Sequence, residues 1–343
     1  MKESVAKVNQ LLDELISEVN EEEASFLAFD ELLYLIKEVQ RIETSLSAHQ
    51  LCLRLRQAAK EEPASPPLVA LVLSQRGLSP LRKEADEPPS WWKESGRLAE
   101  DVRGPFDQET GLPIFVERTK DEAEMVLIPA GEFIYGSDQS QWESPQRKER
   151  TGYYYIDRYQ VAVSSFMAFL KATKRKYEEP RRNLYGQEAM RFVSLHDVRA
   201  YAAWARASVP TELQWEKAAR GTDGRTYPWG EDNLAWRYAN YFYNEGQGDR
   251  YAFLDCQVSA SGKHRDGQSP FGLFDMAGNV WEWCGNPFAG ENSEEPYFAI
   301  RGGSCIEWAT GLRCSYRHED QAKPAGFRDE YLGFRLVVPL EEL

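Results

Sequence analysis

The feature that most constrains the fold is a change in the pattern of apolar and turn-forming residues at about Glu124. From there on, short β-type runs alternate with turns rich in Gly, Pro and Asn, and only two stretches, 164–173 and 194–207, have the apolar periodicity of a good helix. A third, shorter helix is predicted to start at Thr211, because Thr211 and Gln214 have the spacing of a capping box. The pattern predicts an α+β domain with much irregular loop. The clearest strands are 125–128, 133–135 and 153–156.

Aromatic residues support this prediction. The 343-residue chain has 10 Trp, 17 Tyr and 16 Phe, which together make up 13% of it. Flat rings cover irregular backbone, and the polar tips of Trp and Tyr satisfy backbone groups that no helix or strand pairs. A loop-rich domain uses such residues more than a helical bundle does.

Charge and hydropathy argue against several classes of binding partner and against a location in the membrane. The formal net charge is −14 and the isoelectric point is about 5.0. These values argue against nucleic acid and against an anionic membrane surface, since both need clustered Lys and Arg. The N-terminal segment is amphipathic and acidic, unlike a signal peptide, and no apolar run is long enough to span a bilayer. We therefore expect a cytoplasmic protein that does not insert into membranes.

The part of the chain before Glu124 has a different pattern. Apolar residues recur at helical spacing up to about residue 60, where a Pro-rich segment interrupts them. We predict a helical domain at 1–80, a polar linker at 81–114 and the α+β domain at 115–343. The helices could drive oligomerisation or tether the chain to a partner, and the sequence points to no further role for them.

Eight short motifs follow one another from residue 125 to residue 336. They are MVLIPAGEF (125–133), YYYIDRYQV (153–161), VSLHDV (193–198), VPTELQWEKAARG (209–221), YPWG (227–230), FGLFDMAGNVWEW (271–283), RGGS (301–304) and GFRL (333–336). Together, in this order, they resemble the formylglycine-generating enzyme, or sulfatase-modifying factor, family. The resemblance implies an irregular fold of the C-type-lectin type and does not cover the N-terminal part.

Local chemistry agrees with this resemblance. Gly278 and Asn279 predict a tight turn, since both residue types tolerate left-handed backbone angles. Trp281 and Trp283 are two residues apart on a strand, which directs both to one face, the core. Glu282 faces the opposite way, where it can ligate a cation or form an ion pair. Two buried structural arginines are also expected, Arg301 and Arg335.

The resemblance also implies calcium, which members of the family bind with carboxylate, amide and backbone carbonyl oxygens. Matching motif to motif gives two candidate sites. The first comprises the side chains of Asp275 and Glu282 with the carbonyls of Gly278 and Val280. The second comprises the side chains of Asn240 and Asp249 with the carbonyls of Tyr241 and Tyr251. The alternative role of these groups is to cap turns.

The catalytic cysteines that the resemblance implies are not in register here. Formylglycine-generating oxidases bind copper with two cysteines, at the third and eighth positions after the Arg-Gly-Gly-Ser serine, and copper(I) selects soft thiolates. Those positions hold Glu307 and Leu312, while Cys305 and Cys314 are displaced by two residues in opposite directions. Two residues of extended chain move a sulfur by about 6–7 Å. We therefore expect that the chain binds no copper and is not an enzyme. The alternative is an oxidase that uses Cys305 and Cys314.

A second class of enzyme contains this domain. Iron-dependent sulfoxide synthases of ergothioneine-type pathways build a three-histidine iron site with an N-terminal helical bundle. This chain has four histidines, and only His49 lies in the predicted N-terminal helical domain. The sequence therefore argues against that site.

The segment 301–336 resembles the variable region of proteins that are diversified by retroelements, which use this same lectin-type fold. Their fixed frame is matched at 301–304, 312–313, 316–317, Pro324, Arg328 and 333–335. The intervals between these positions are the predicted ligand-binding face, Ile306, Glu307, Trp308, His318, Glu319, Asp320, Asp329, Glu330 and Tyr331. Rigid aromatic rings among adaptable polar side chains are typical of a binding surface.

Two interpretations of this segment stay open. The chain is either a retroelement-diversified variable protein or a non-catalytic paralogue with an ordinary surface. Both predict a module that binds rather than catalyses, with a protein or glycan as its ligand.

Overall fold

The computed structural model describes residues 78–80, 107, 112–181, 183–231, 237–242, 257–288, 296–317 and 322–340. The α-helices are α1 (Val163–Thr173), α2 (Leu195–Ala205) and α3 (Glu212–Arg220). The strands are β1 (Leu78–Pro80), β2 (Phe115–Arg118), β3 (Ala123–Ile128), β4 (Gly131–Tyr135), β5 (Arg147–Thr151), β6 (Tyr154–Asp157), β7 (Trp281–Pro287), β8 (Tyr297–Arg301), β9 (Ala322–Pro324), β10 (Leu332–Gly333) and β11 (Val337–Pro339). None of the helices in this part of the chain is long and apolar enough to cross a bilayer. The α+β prediction is confirmed.

The largest sheet has five antiparallel strands in the order β1-β2-β3-β6-β11. Both faces of its centre are buried. Alternation along β3 directs Val126 and Ile128 into a cluster that contains Trp215 of α3, while Met125 and Leu127 face a second cluster. The sheet is therefore covered on both sides, and α3 packs on one of them.

The edge of this sheet includes residues from outside the predicted domain. β1 pairs antiparallel with β2, and Leu78 is buried in the second cluster. Leu112 and Ile114, at the end of the predicted linker, are buried as well. An edge strand distant in sequence thus completes the sheet, and the domain boundaries at residues 80 and 114 stay a prediction. The other residues of the predicted helical domain and nearly all of the linker lie outside the described ranges.

The second sheet has the order β10-β7-β8-β9, in which β10 runs parallel to β7 and the other pairs are antiparallel. Trp281 and Trp283 of β7 are both buried, as predicted. Nε1 of Trp283 donates to the carbonyl of Val193 at 2.9 Å. The same cluster contains Phe166 of α1 and Tyr201 of α2, so this sheet packs on both helices. Strands β4 and β5 form a separate hairpin.

Side-chain caps set the first residues of α2 and α3. The hydroxyl of Ser194 accepts from the N–H of Asp197, whose carboxylate accepts from the N–H of Ser194. Thr211 and Gln214 form the same reciprocal pair, so the predicted capping box is confirmed. The helices predicted at 164–173 and 194–207 are found as α1 and α2, apart from their terminal residues.

Two buried arginines connect the elements of the core. Arg301 of β8 forms ion pairs with Glu212 and Glu216 of α3. Arg335 pairs with Glu282 of β7 at 2.7 Å and also donates to backbone carbonyls. The predicted structural role of both arginines is confirmed. A planar guanidinium supports such arrangements because it offers five donors in fixed directions.

Candidate functional site

The turn before β7 carries most of the first predicted calcium site. Its backbone is left-handed at Asp275 (φ 52°), Gly278 (φ 83°) and Asn279 (φ 66°). A Cβ at Gly278 would lie 2.3 Å from the carbonyl oxygen of Asn240, so only glycine fits there. The N–H of Asn279 donates to that same carbonyl at 2.8 Å. The predicted tight turn is confirmed.

Two oxygens of this candidate site, those of Val280 and Glu282, and the main-chain carbonyl of Asp275 converge on the side chain of Gln160. Its Nε2 lies 3.3 Å from the carbonyl oxygen of Asp275 and 3.1 Å from that of Val280. It also donates to Oε1 of Glu282 at 2.9 Å. Both carboxylate oxygens of Glu282 accept from the guanidinium of Arg335, at 2.8 and 2.7 Å. The charge of Glu282 is therefore balanced by an arginine.

The carboxylate of Asp275 has different partners. Its Oδ2 accepts from the hydroxyl of Ser261 at 2.5 Å and from the N–H of Gly262 at 2.7 Å. Burial raises the pKa of Asp275. The structure thus gathers the main chain of Asp275 and Val280 around the Glu282 side chain, with the Asp275 carboxylate bound to the segment at 261–262. Calcium binding here stays a prediction.

Half of the second candidate calcium site, Asp249 and Tyr251, lies outside the described residues. The side-chain amide of Asn240 donates to the carbonyl of Gln257 at 2.9 Å and to Oδ1 of Asn279 at 3.0 Å. Tyr241 is buried in a cluster with Leu312. The described half of the site therefore braces the turn at Asn279, and its metal role stays a prediction.

Cys305 and Cys314, the pair required by the alternative oxidase, are fully buried in different clusters. Cys305 packs against Val258 and Val280, whereas Cys314 lies in the core around Trp215. Among the described residues, neither forms a disulfide bond. Burial raises the pKa of Cys314, which keeps its thiol protonated and a poor nucleophile or metal ligand.

The two positions that hold the catalytic cysteines of the oxidases carry a carboxylate and a leucine. Leu312 is fully buried beside Tyr227. Glu307 is half-buried, and its Oε1 accepts from Nε1 of Trp281 at 3.3 Å. Burial and the charge of Asp329 raise the pKa of Glu307, although the bond from Trp281 opposes the change. Neither side chain is a soft ligand for copper(I).

Trp308 is the exposed aromatic ring of the predicted binding face, with 60% of its surface accessible. It packs edge-to-face on Phe242, whose N–H donates to the carbonyl of Glu307 at 3.0 Å. Ile306 and Tyr331 pack against one apolar cluster, so two of the three predicted intervals meet. Sequence reasoning missed Phe242, for which the aromatic run at 241–243 was the available signal.

The acidic residues of the last predicted interval, Asp329 and Glu330, have hydrogen-bond and ion-pair partners within the protein. Oδ1 of Asp329 accepts from the N–H of Tyr331 at 2.9 Å. Oε1 of Glu330 accepts from the N–H of Arg181 at 2.9 Å, and its Oε2 lies 3.5 Å from Nη1 of Arg191. The middle interval lies outside the described residues, and it comprises His318, Glu319 and Asp320.

Residues 113–340 match the family described as the sulfatase-modifying factor enzyme 1-like domain. The chain is 27% identical over 270 residues to the Bacillus subtilis protein YfmG, covering 63% of this chain and 55% of that protein. It is 28% identical over 220 residues to a formylglycine-generating enzyme of Thermomonospora curvata, covering 47% and 70%. It is 33% identical over 132 residues to the inactive C-alpha-formylglycine-generating enzyme 2 of Bos taurus, covering 35% and 39%. The chain spans about half the length of the first curated relatives that it matches.

Two solved structures share the fold. PvdO from Pseudomonas aeruginosa superposes with a TM-score of 0.56 and 25% identity, covering 65% of this chain and 97% of that one. Treponema denticola variable protein 1 superposes with a TM-score of 0.50 and 19% identity, covering 63% and 95%. At that identity the second likeness shows a common fold and nothing more.

Proposed function

The chain belongs to the sulfatase-modifying factor enzyme 1-like family, and from that membership we propose that it is a non-catalytic, ligand-binding member. The C-type-lectin-type fold expected for such a protein is confirmed by the family match and by the likeness to PvdO. The observation that carries the proposal is the residue pair Glu307 and Leu312. Because these side chains occupy the two thiolate positions, the copper chemistry of the oxidases has no ligands there.

Family membership alone leaves the activity open. Relatives of this chain include one protein named as a formylglycine-generating enzyme and another named as inactive. Whether this chain is catalytic therefore depends on the residues at the cysteine positions. Cys305 and Cys314 support the non-catalytic proposal, because they lie in separate apolar clusters and burial disfavours the thiolate of Cys314.

The proposed binding face combines Glu307, Trp308 and Tyr331. The ring of Trp308 is large, rigid and exposed to solvent, and the buried ring of Phe242 packs against it edge to face. Ile306 and Tyr331 share one apolar support, so the first and last intervals form a continuous surface. Aromatic anchors with polar neighbours suit a protein or glycan surface as ligand.

Retroelement diversification is the finer form of this proposal. It rests on the frame residues at 301–304 and 333–335 and on the chemically mixed intervals between them. A reverse-transcriptase gene beside this gene, with a near-copy template carrying adenines at the codons of Ile306, Glu307 and Trp308, would support diversification. Without such a template the chain would be an ordinary non-catalytic binder of the family.

The oxidase alternative is tested directly by chemistry. The purified chain is incubated with copper(I), oxygen and a cysteine-containing sulfatase peptide, and the peptide is followed by mass spectrometry. The Thermomonospora enzyme serves as the active control. We expect the peptide mass to stay unchanged; conversion to formylglycine that is lost in Cys305→Ser or Cys314→Ser would establish the alternative.

We also propose calcium as the metal of the first candidate site. The carboxylates of Asp275 and Glu282 and the carbonyls of Gly278 and Val280 are the hard ligands that this ion prefers. Gln160 donates to the oxygens of Val280 and Glu282 and Arg335 pairs with Glu282, so calcium binding requires the Gln160 amide to move. Calcium there would have a structural role, holding the turn before β7.

A further inference from the structure

Tyr185 is an exposed tyrosine outside every motif and predicted interval. With 61% of its surface accessible, it and Trp308 are the large apolar side chains that the described residues leave exposed. Tyr185 lies in the connection between α1 and α2. An exposed ring of this size is a candidate contact for a ligand when its backbone is fixed.

The backbone around Tyr185 is fixed by the neighbouring structure. The carbonyl of Tyr185 accepts from the N–H of Glu188 at 2.9 Å, and the carbonyl of Gly186 accepts from the N–H of Ser164 at 2.8 Å. Glu188 also forms a β-bridge with Ala260. The ring therefore projects from a bonded turn rather than from a frayed loop.

Two clefts meet at this turn, with volumes of about 460 and 440 Å³. Tyr185 and Glu188 line both of them, as do Gln257 and Val258. The second cleft reaches Tyr331 of the proposed binding face. Volumes of this size are typical of small-ligand sites.

The polar lining of these clefts is rich in groups that both donate and accept. The amides of Asn183, Gln187 and Gln257 each offer an N–H₂ and a carbonyl oxygen. Oε2 of Glu188 lies 3.6 Å from Nη2 of the buried Arg191 but accepts no hydrogen bond from the described residues. This oxygen is buried, so it faces Arg191 rather than a ligand in the cleft.

The charges that line the second cleft are balanced. Arg191 lies near both Glu188 and Glu330, and the N–H of Arg181 donates to Glu330. A neutral ligand therefore matches this cleft better than an ion does. An extended peptide matches less well, because it needs free main-chain groups and the carbonyls of Tyr185 and Gly186 are already bonded.

We infer that Tyr185 and the second cleft bind a neutral saccharide. The C–H face of a sugar ring packs on the apolar body of the tyrosine. Its hydroxyls bond to the amides of Asn183 and Gln257. Tyr331 borders both this cleft and the binding face proposed above. The two proposals depend on different exposed rings, Tyr185 and Trp308, so either can fail without the other.

Saturation-transfer-difference NMR on the full chain tests this inference with maltose, cellobiose, lactose and N,N′-diacetylchitobiose. We expect transfer from the wild-type protein to the ring protons of at least one of these sugars. Tyr185→Ala should weaken that binding by about tenfold, since the stacking surface is lost. Tyr185→Phe keeps the ring and should retain binding.

Lys148→Ala is the control, because it changes an exposed side chain that lines neither cleft and should leave saccharide binding unchanged. Trp308→Ala separates the two proposals: loss of saccharide binding in this variant but not in Tyr185→Ala would place the sugar on the proposed binding face and overturn the inference. Melting temperatures verify that each variant is folded. Absence of transfer to all four sugars, or equal transfer to wild type and Tyr185→Ala, overturns the inference.

Discussion

Phe242 and Trp308 meet edge to face, with ring centroids 4.7 Å apart and ring planes at 83°. Phe242 is buried, whereas Trp308 is mostly exposed. The buried ring of Phe242 thus orients the exposed ring of Trp308. The hydrogen bond from the N–H of Phe242 to the carbonyl of Glu307 fixes the distance between the two backbone segments that carry these rings. A binding face built on such a contact presents its aromatic group with little loss of conformational entropy.

The first prediction concerns this ring pair. Trp308→Ala, Phe242→Ala and the double variant form a double-mutant cycle measured by urea unfolding. We expect a coupling free energy of about 0.5–1.5 kcal/mol, the usual size for an aromatic pair. Trp308→Ala combined with Tyr185→Ala is the control and should show no coupling. A coupling near zero for Phe242 and Trp308 would contradict the proposed support.

The second prediction concerns the buried ion pair of Glu282 and Arg335. Glu282→Gln leaves the Arg335 guanidinium without its counter-charge in the core. We expect the free energy of unfolding to fall by about 3–5 kcal/mol. Glu132→Gln, which disrupts the exposed pair with Lys148, should cost less than about 1 kcal/mol. Equal losses in the two variants would argue against a special role for burial.

The third prediction concerns Cys305 and Cys314. Each Cys→Ser change places a hydroxyl in an apolar cluster and should cost about 1–3 kcal/mol in urea unfolding. The affinity for copper(I), measured by competition with a chromogenic chelator, should stay the same in both variants. Cys→Ala at each position separates the loss of sulfur from the burial of a hydroxyl. A large fall in copper affinity would instead favour the oxidase alternative.

The fourth prediction concerns acid. Burial opposes ionisation of Asp197, but hydrogen bonds from Ser194 and the charge of Arg328 outweigh it and hold its pKa below the ordinary 3.8. For Glu212, the charges of Arg301 and Arg317 likewise overcome burial and hold the pKa below 4.5. A depressed folded pKa stabilises the fold above the unfolded value, and this stability is lost as the pH falls through the folded value.

Stability measured by chemical denaturation should therefore be retained at pH values well above these ordinary pKa values and decline below them. Asp197→Asn removes one of the titrating groups, so its stability should decline less steeply with acid than that of the wild type. An identical pH profile for wild type and Asp197→Asn would show that Asp197 does not contribute.

The fifth prediction concerns calcium. Chelator-treated protein should melt at a higher temperature when calcium is added, because a ligand that binds only the folded state stabilises it. Asp275→Asn keeps the shape of the turn and reduces the negative charge, so it should weaken the shift. An unchanged melting temperature on adding calcium or chelator would remove the metal proposal for this site.

Features that depend on neighbouring residues were predictable from the sequence. The capping box at Thr211 and Gln214, the tight turn at Gly278 and Asn279 and the inward direction of Trp283 follow from local backbone geometry. The ordered motifs then identified the family and its fold. The two positions that hold the catalytic cysteines of the oxidases could be identified by counting along the chain, since they lie within one short segment.

Contacts between distant segments required the tertiary structure. The contact of Gln160 with the oxygens of Val280 and Glu282 in the first candidate calcium site joins residues more than 100 positions apart. Phe242 reaches Trp308 across another long separation. Strand β1 completes a sheet from beyond the predicted boundary. Local propensity does not encode the path of the chain through irregular loops, and that path decides which side chains meet. The sequence by itself therefore determined the elements and the family, and the packing of those elements decided the partners of each site residue.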